Sequence, residues 1–123
     1  MGRPAVAIVS DDDISLALIH LNLARRGYAV VVALVHHVEE GWQPLRSPDL
    51  LVVDLDVPDP DCWEQAAWLR EQPWARHTRL IVLNHGWPDA EWLRRLGAYR
   101  HLRKPFAVED LLTAVEGALA TIC

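Results

Sequence analysis

The sequence contains few cysteines and no long apolar run. Its two cysteines, Cys62 and Cys123, are far apart and have neither the C-x-x-C nor the Cys/His spacing of a zinc site. This argues against a disulfide scaffold and against a zinc domain, and unpaired cysteines without a signal peptide indicate the reducing cytoplasm. The apolar runs are too short to cross a bilayer, so we expect no membrane-spanning helix.

Positive charge is also scarce. The 123 residues include 12 Lys and Arg against 17 Asp and Glu, for a net charge of −5. The basic residues are scattered along the chain, whereas nucleic-acid binding needs a basic patch, so we expect no direct nucleic-acid binding. Because 51% of the residues are hydrophobic, the chain is expected to form one globular domain, residues 1–123.

Five segments are apolar and rich in β-branched residues, which is typical of buried strands. They are residues 5–10, 28–35, 50–53 and 79–84 and, more weakly, 98–102.

Helical patterns lie between and after these segments. Apolar residues at helical spacing predict a first helix that ends at Gly27: Ile14, Ala17, Leu18 and Leu21. Residues 36–49 are expected to hold only a short or irregular helix. We expect Asp61 to cap a third helix, and residues 88–96 to form a short fourth one. A last helix is predicted by one apolar face: Val108, Leu111, Leu112, Val115 and Leu119.

Alternating strands and helices predict a parallel sheet that is covered on both faces by helices. In such sheets ligands bind outside the carboxyl ends of the strands, where the strand order reverses. Asp54 and Asp56 follow the third strand, and Asp11 and Asp12 follow the first. If these two strands are neighbours, the acids form one site. Carboxylate oxygens suit Mg²⁺, a carboxylate is also a nucleophile towards phosphorus, and Lys104 could supply further positive charge.

These residues resemble the receiver domain of bacterial two-component response regulators. VVDLDVPDPD, residues 52–61, is similar to the phospho-acceptor strand and loop of that family, and RKPF, residues 103–106, is similar to its lysine-proline-phenylalanine motif, whose Lys-Pro bond is often cis. The resemblance covers nearly the whole chain. It implies an α/β, flavodoxin-like (βα)5 fold, which is a doubly wound five-stranded parallel sheet with strand order 2-1-3-4-5.

The resemblance also implies a role for each matching residue. Asp54 would accept a phosphoryl group from a sensor histidine kinase or phosphotransfer protein, and Lys104 would pair with the acceptor or its phosphate. Mg²⁺ would be held by Asp11, by Asp54 and by the backbone carbonyl of Asp56, with Asp12 either near the metal or acting as a helix cap. The domain would be a signalling phospho-acceptor rather than an enzyme, apart from slow self-dephosphorylation.

Several positions depart from the family's pattern. Ser10 stands where the family usually has an acid, so we expect weaker Mg²⁺ binding. Asn84 replaces the usual Thr or Ser of the switch, His101 occupies the aromatic switch position with Tyr99 two residues earlier, and Cys62 replaces a common glycine. These departures put the standard switch in doubt, whereas they leave phosphorylation itself plausible.

Two other functions are open at this point. The chain could be a degenerate receiver that acts as a phosphorylation-independent protein-binding module, or, since DLDV at Asp54 resembles a D-x-D motif, a phosphatase of the haloacid dehalogenase type. The output would go to an unknown protein or to an effector domain missing from this sequence. The resemblance implies that helix 4, strand 5 and helix 5 form an output face, and we hold a homodimer formed through this face as a hypothesis.

Overall fold

The computed structural model describes residues 2–120, in which five parallel strands alternate with five α-helices. The strands are β1 (Ala5–Ser10), β2 (Ala29–Leu34), β3 (Leu50–Asp54), β4 (Arg79–Asn84) and β5 (Arg100–Arg103). The helices are α1 (Asp13–Arg25), α2 (Val35–Glu39), α3 (Asp61–Arg70), α4 (Ala90–Leu96) and α5 (Val108–Ala120), with a 3₁₀ turn at Pro73–Ala75. No helix within residues 2–120 is long and apolar enough to cross a membrane.

The sheet has the order β2-β1-β3-β4-β5, and all of its strand pairs are parallel, which confirms the predicted fold. The reversal of strand order falls between β1 and β3. There Ser10 pairs in register with Asp54, and Asp54 pairs with Leu83 on its other side. The carboxyl ends of the central strands therefore meet at one edge, where a doubly wound sheet places its ligands.

Two apolar layers cover the sheet. One layer packs α1 and α5 against one face, and the other packs α2, α3 and α4 against the opposite face around Trp63 and Trp74. Every residue of β3 is buried. This explains why β3 is an uninterrupted apolar run up to Asp54, since a strand that is covered on both faces has no polar side.

The structure corrects the predicted apolar face of α1. Ile14, Leu18 and Leu21 are exposed by 70%, 58% and 46%, whereas Leu16 and Leu23 are among the buried residues of this helix. The buried set has the same helical spacing as the exposed set. Periodicity predicted the helix correctly, but it could not tell which of two apolar stripes faces the sheet.

The predicted helix cap at Asp61 is also wrong. Pro60 is the N-cap residue of α3 and gives no side-chain cap, while Asp61 is the first helical residue. There its negative charge interacts favourably with the positive end of the helix dipole instead. The fourth helix is short, as expected, and Asp89 caps it by accepting a hydrogen bond from the Trp92 amide. It ends at Gly97, whose φ of 64° is in the left-handed region.

Candidate functional site

The predicted site residues meet at the carboxyl edge of the sheet. Ser10, Asp54 and Asn84 are the last residues of β1, β3 and β4, and Lys104 directly follows β5. The Lys104–Pro105 peptide bond is cis, as the resemblance implied. Because neighbouring parallel strands end together, four residues that lie far apart in the sequence share one small region.

Asp54 is completely buried, and both of its carboxylate oxygens have polar neighbours. The Ser10 hydroxyl lies 2.8 Å from Oδ2 and donates to it, and the Lys104 ammonium lies 2.5 Å from Oδ1. The second contact is an ion pair without an aligned hydrogen bond, since Oδ1 has no hydrogen-bond partner among the described residues. A buried carboxylate is tolerated only when it is paired, so Lys104 is the group that allows Asp54 to be charged here.

Lys104 is shared with a second carboxylate. Its ammonium donates to Asp56 Oδ1 at 2.8 Å, and the same oxygen lies 3.0 Å from His85 Nε2. Burial acts to lower the pKa of Lys104, but the two carboxylates outweigh it and hold this pKa above its usual value. The pKa of Asp56 is lowered, chiefly by the hydrogen bond from Lys104, against opposing desolvation and with help from His85.

His85 is a member of the site that the sequence analysis missed. It directly follows Asn84, the last residue of β4, so its position at a strand end was a usable signal. Its contact with Asp56 gives one carboxylate oxygen two neighbours, the His85 imidazole and the Lys104 ammonium.

The Asp11 carboxylate is already bound to backbone groups and does not point freely towards a metal position. Its carboxylate accepts hydrogen bonds from the backbone N–H of Asp56 at 2.8 and 2.9 Å and from that of Val57 at 3.0 Å. Both oxygens therefore fix the loop that follows β3. Asp12 is the N-cap of α1, the second of its predicted roles, because its side chain accepts from the Ser15 amide.

The Asn84 side chain is held by three hydrogen bonds, none of which goes to Asp54 among the described contacts. Its Oδ1 accepts from the Gly86 amide at 3.0 Å and lies 2.8 Å from His101 Nε2, while its Nδ2 donates to Cys62 Sγ at 3.6 Å. Since a carboxamide oxygen only accepts, His101 Nε2 carries the proton. The predicted switch position is therefore linked directly to the predicted aromatic position.

His101 lies partly buried against the Trp63 ring, with ring centroids 5.2 Å apart. Burial is the main reason that the pKa of this imidazole is lowered, and the nearby Arg103 charge adds to the effect. Its Nδ1 is buried without a hydrogen-bond partner in the described part of the chain. Tyr99, the other residue predicted for this face, precedes β5 and is 40% exposed, with the Arg79 guanidinium 5.7 Å from its ring.

The carboxylates predicted to bind Mg²⁺ are all engaged in other contacts and do not fit the ion as they stand. Asp11 is bound to backbone amides, Asp54 to Ser10 and Lys104, and Asp56 to Lys104 and His85. Within residues 2–120, no three acidic, cysteine or histidine side chains come together in a group that could hold a metal ion. A cation would have to displace contacts that the protein has already formed, and the ammonium of Lys104 already supplies positive charge between two carboxylates.

Comparison with known proteins gives the family. Residues 6–116 match the model of the response regulator receiver domain. The chain is 30% identical over 118 residues to the phosphate regulon transcriptional regulatory protein PhoB of Rhizobium meliloti, a match that covers 94% of this chain and 52% of that protein. The chain spans about half the length of the transcriptional regulators it matches.

Solved structures agree with the fold. The non-phosphorylated HemR receiver domain from Leptospira biflexa superposes with a TM-score of 0.76 at 24% identity, covering 98% of both chains. A receiver domain of a sensor histidine kinase from Pseudomonas aeruginosa, which has a magnesium ion coordinated in its active site cleft, gives a TM-score of 0.69 at 21% identity and covers 98% of this chain and 100% of that one. The match to the family model and the 30% identity to PhoB favour the receiver over the phosphatase alternative, and the chain belongs to the response regulator receiver domain family of two-component systems.

Proposed function

We propose that Asp54 accepts a phosphoryl group from a sensor histidine kinase or a phosphotransfer protein. The observation that carries the proposal is the buried Asp54 carboxylate between the Ser10 hydroxyl and the Lys104 ammonium. In the transfer, a carboxylate oxygen of Asp54 forms a bond to phosphorus as the phosphorus–nitrogen bond of a phosphohistidine breaks, and the imidazole leaves with the bonding electron pair. The product is an acyl phosphate on Asp54.

Lys104 is proposed to supply the countercharge for this transfer. Its ammonium lies within reach of the oxygen that would carry the phosphoryl group, and positioned positive charge is the main catalytic requirement of phosphoryl transfer. Because Asp54 has no exposed surface, a phosphodonor reaches it only after neighbouring groups move. We therefore expect slow transfer.

Magnesium remains a prediction for this chain. The oxygens that would hold it are those of Asp11, Asp54 and the Asp56 backbone, and they become available only if the present contacts of Asp11 and Asp54 are broken. Weak binding is expected for this reason as well as for the neutral Ser10.

The test is the intact mass of the protein after incubation with acetyl phosphate, with and without Mg²⁺. We expect an adduct of one phosphoryl group in the wild type and none in Asp54→Asn. Asp56→Asn is the matched control, since it removes a neighbouring carboxylate that shares Lys104 but leaves the acceptor intact, so its adduct should persist. No adduct in a folded wild type would contradict the proposal and leave the phosphorylation-independent binding module as the better reading.

The remaining assignments follow from the family and are likewise proposals. We infer a signalling role in the cytoplasm for residues 1–123 as one receiver domain, with output through an unidentified protein or an effector domain. A homodimer through the face that carries Tyr99 and His101 is tested by sedimentation with and without beryllofluoride. Monomers under both conditions would contradict it.

A further inference from the structure

A groove crosses the free edge of β2, which is the outermost strand and pairs only with β1. It has a volume of about 390 Å³, and three consecutive strand residues, Ala29, Val30 and Val31, contribute to its lining. Successive side chains of a strand point to opposite faces of the sheet. Three in a row can line one groove only where it opens onto the strand edge, so the groove reaches the backbone of β2.

The apolar surface of this edge is incompletely covered. Val31 is 43% exposed in the middle of the strand, and Leu45, which also lines the groove, is fully exposed. The helix that follows β2 is only five residues long, Val35–Glu39, and none of its residues lines the groove. Free strand edges are usually protected by lysine, proline or a bulge, but the strand sequence AVVVAL contains neither residue.

The groove is also positively charged. Arg3 and Arg46 are among its lining residues, and none of the residues that line it is an aspartate or a glutamate. Both arginines are exposed, and neither forms an ion pair with another residue of the described chain. In a chain with a net charge of −5, a cationic lining is a local departure that selects for a negatively charged occupant.

We propose that this groove binds an extended acidic segment of a partner protein, which adds a sixth strand to the sheet beside β2. The unpaired backbone groups of β2 would hydrogen-bond the segment, an apolar side chain of the segment would contact Val31 and Leu45, and its carboxylates would contact Arg3 and Arg46. The six residues of β2 set the length of the segment at about six residues. The proposal is independent of phosphorylation at Asp54.

The charge of the groove disfavours a second copy of the chain as the occupant, since edge-to-edge pairing of two β2 strands would bring two cationic grooves together. A small apolar anion could contact the arginines, but it would leave the strand edge unpaired. An extended acidic segment satisfies both features.

The test titrates the ¹⁵N-labelled protein with three capped heptapeptides. One alternates glutamate and valine, one alternates lysine and valine, and one has the acidic composition with its central valine replaced by proline, which removes a backbone donor and disfavours a paired strand. We expect saturable shifts of the β2 amides, and slower hydrogen exchange there, with the acidic peptide alone.

Two variants and a control locate the site. Val31→Glu and Arg46→Glu should each weaken binding of the acidic peptide at least about tenfold, because the first places a repelling charge on the apolar floor and the second reverses a charge of the rim. Arg94→Glu, on exposed α4, is the matched charge reversal away from β2 and should leave the affinity unchanged.

The proposal would be overturned if the acidic peptide caused no shifts, or caused shifts that do not involve β2. Equal binding of the proline peptide would also overturn it, because this would indicate a simple anion site. Dimerisation through β2 without any peptide would do the same. Since Arg46 is an exposed loop residue, Arg46→Glu is expected to fold even if Val31→Glu does not.

Discussion

Replacing Lys104 by methionine tests whether this lysine is what allows Asp54 to stay charged inside the protein. Methionine keeps most of the apolar stem and removes the ammonium, so Asp54, with no exposed surface, retains only the Ser10 hydroxyl as a partner. Removing one partner of a buried ion pair costs about 3–5 kcal/mol. The side chain of Lys104 is itself only 10% exposed, so solvent screening reduces this figure little.

We therefore expect Lys104→Met to lower the free energy of unfolding by about 3–5 kcal/mol at pH 7, because the variant leaves the buried Asp54 carboxylate without its charged partner.

Urea unfolding followed by tryptophan fluorescence measures these differences, and a double-mutant cycle with Asp54→Asn isolates the pair. In the Asp54→Asn background, Lys104→Met should cost less than about 1 kcal/mol, because no buried charge remains. Asp56→Asn is the control, since the Asp56 side chain is 43% exposed and its pair with Lys104 should contribute less than about 1 kcal/mol. A loss below about 1 kcal/mol at pH 7, or the same loss in both backgrounds, would refute the reasoning.

Further predictions concern three other positions. Ser10→Ala should lower the free energy of unfolding by about 1–3 kcal/mol, because Asp54 Oδ2 loses a buried donor. Ser10→Asp should raise the affinity for Mg²⁺ at least about tenfold in a fluorescence titration. An unchanged affinity would contradict the role given to Ser10. Burial lowers the pKa of His101, so the unfolded chain binds more protons than the folded chain does. The contribution of His101 to stability is therefore complete above about pH 6.5 and is lost as the pH falls through the lowered pKa. His101→Gln, which can still donate to Asn84, should reduce the loss of stability between pH 7.5 and 5.5 in urea, and equal losses would count against this explanation. Gly97→Ala should cost about 1 kcal/mol because φ is 64° there, and an unchanged urea midpoint would show that this conformation carries no strain.

The sequence was sufficient for the order of elements and for the meeting of Asp54 with Lys104. Both follow from strong local signals, an apolar run that ends in an acid and the RKPF motif, together with the rule that parallel strands end at one edge. The family resemblance added the strand order, which local patterns do not contain. The structure confirms the fold and the strand order, and it places the Lys104 ammonium beside the Asp54 carboxylate.

The remaining features depend on choices between alternatives that look equal in the sequence. The two apolar stripes of α1 have the same spacing, so only packing decides that Leu16 rather than Leu18 is buried. Asp11 can turn towards a cation or towards backbone amides, and the loop after β3 presents the amides. The groove beside β2 is lined by residues of α1 and of the loop around Leu45, and local sequence patterns do not show that these two segments meet beside the strand.

The departure at Ser10 and the sharing of Lys104 explain each other. An acid at position 10 would place a second carboxylate against Asp54 Oδ2, and two like charges at that distance would require an added cation. With a hydroxyl at this position, Lys104 alone balances Asp54, and the remaining attraction of its ammonium goes to Asp56. The same balance that stabilises the resting site must be broken before a phosphodonor or a metal ion can enter. A receiver built in this way is therefore expected to exchange responsiveness for a stable resting state, and the loss of unfolding free energy in Ser10→Ala measures how much of that resting stability the single hydroxyl provides.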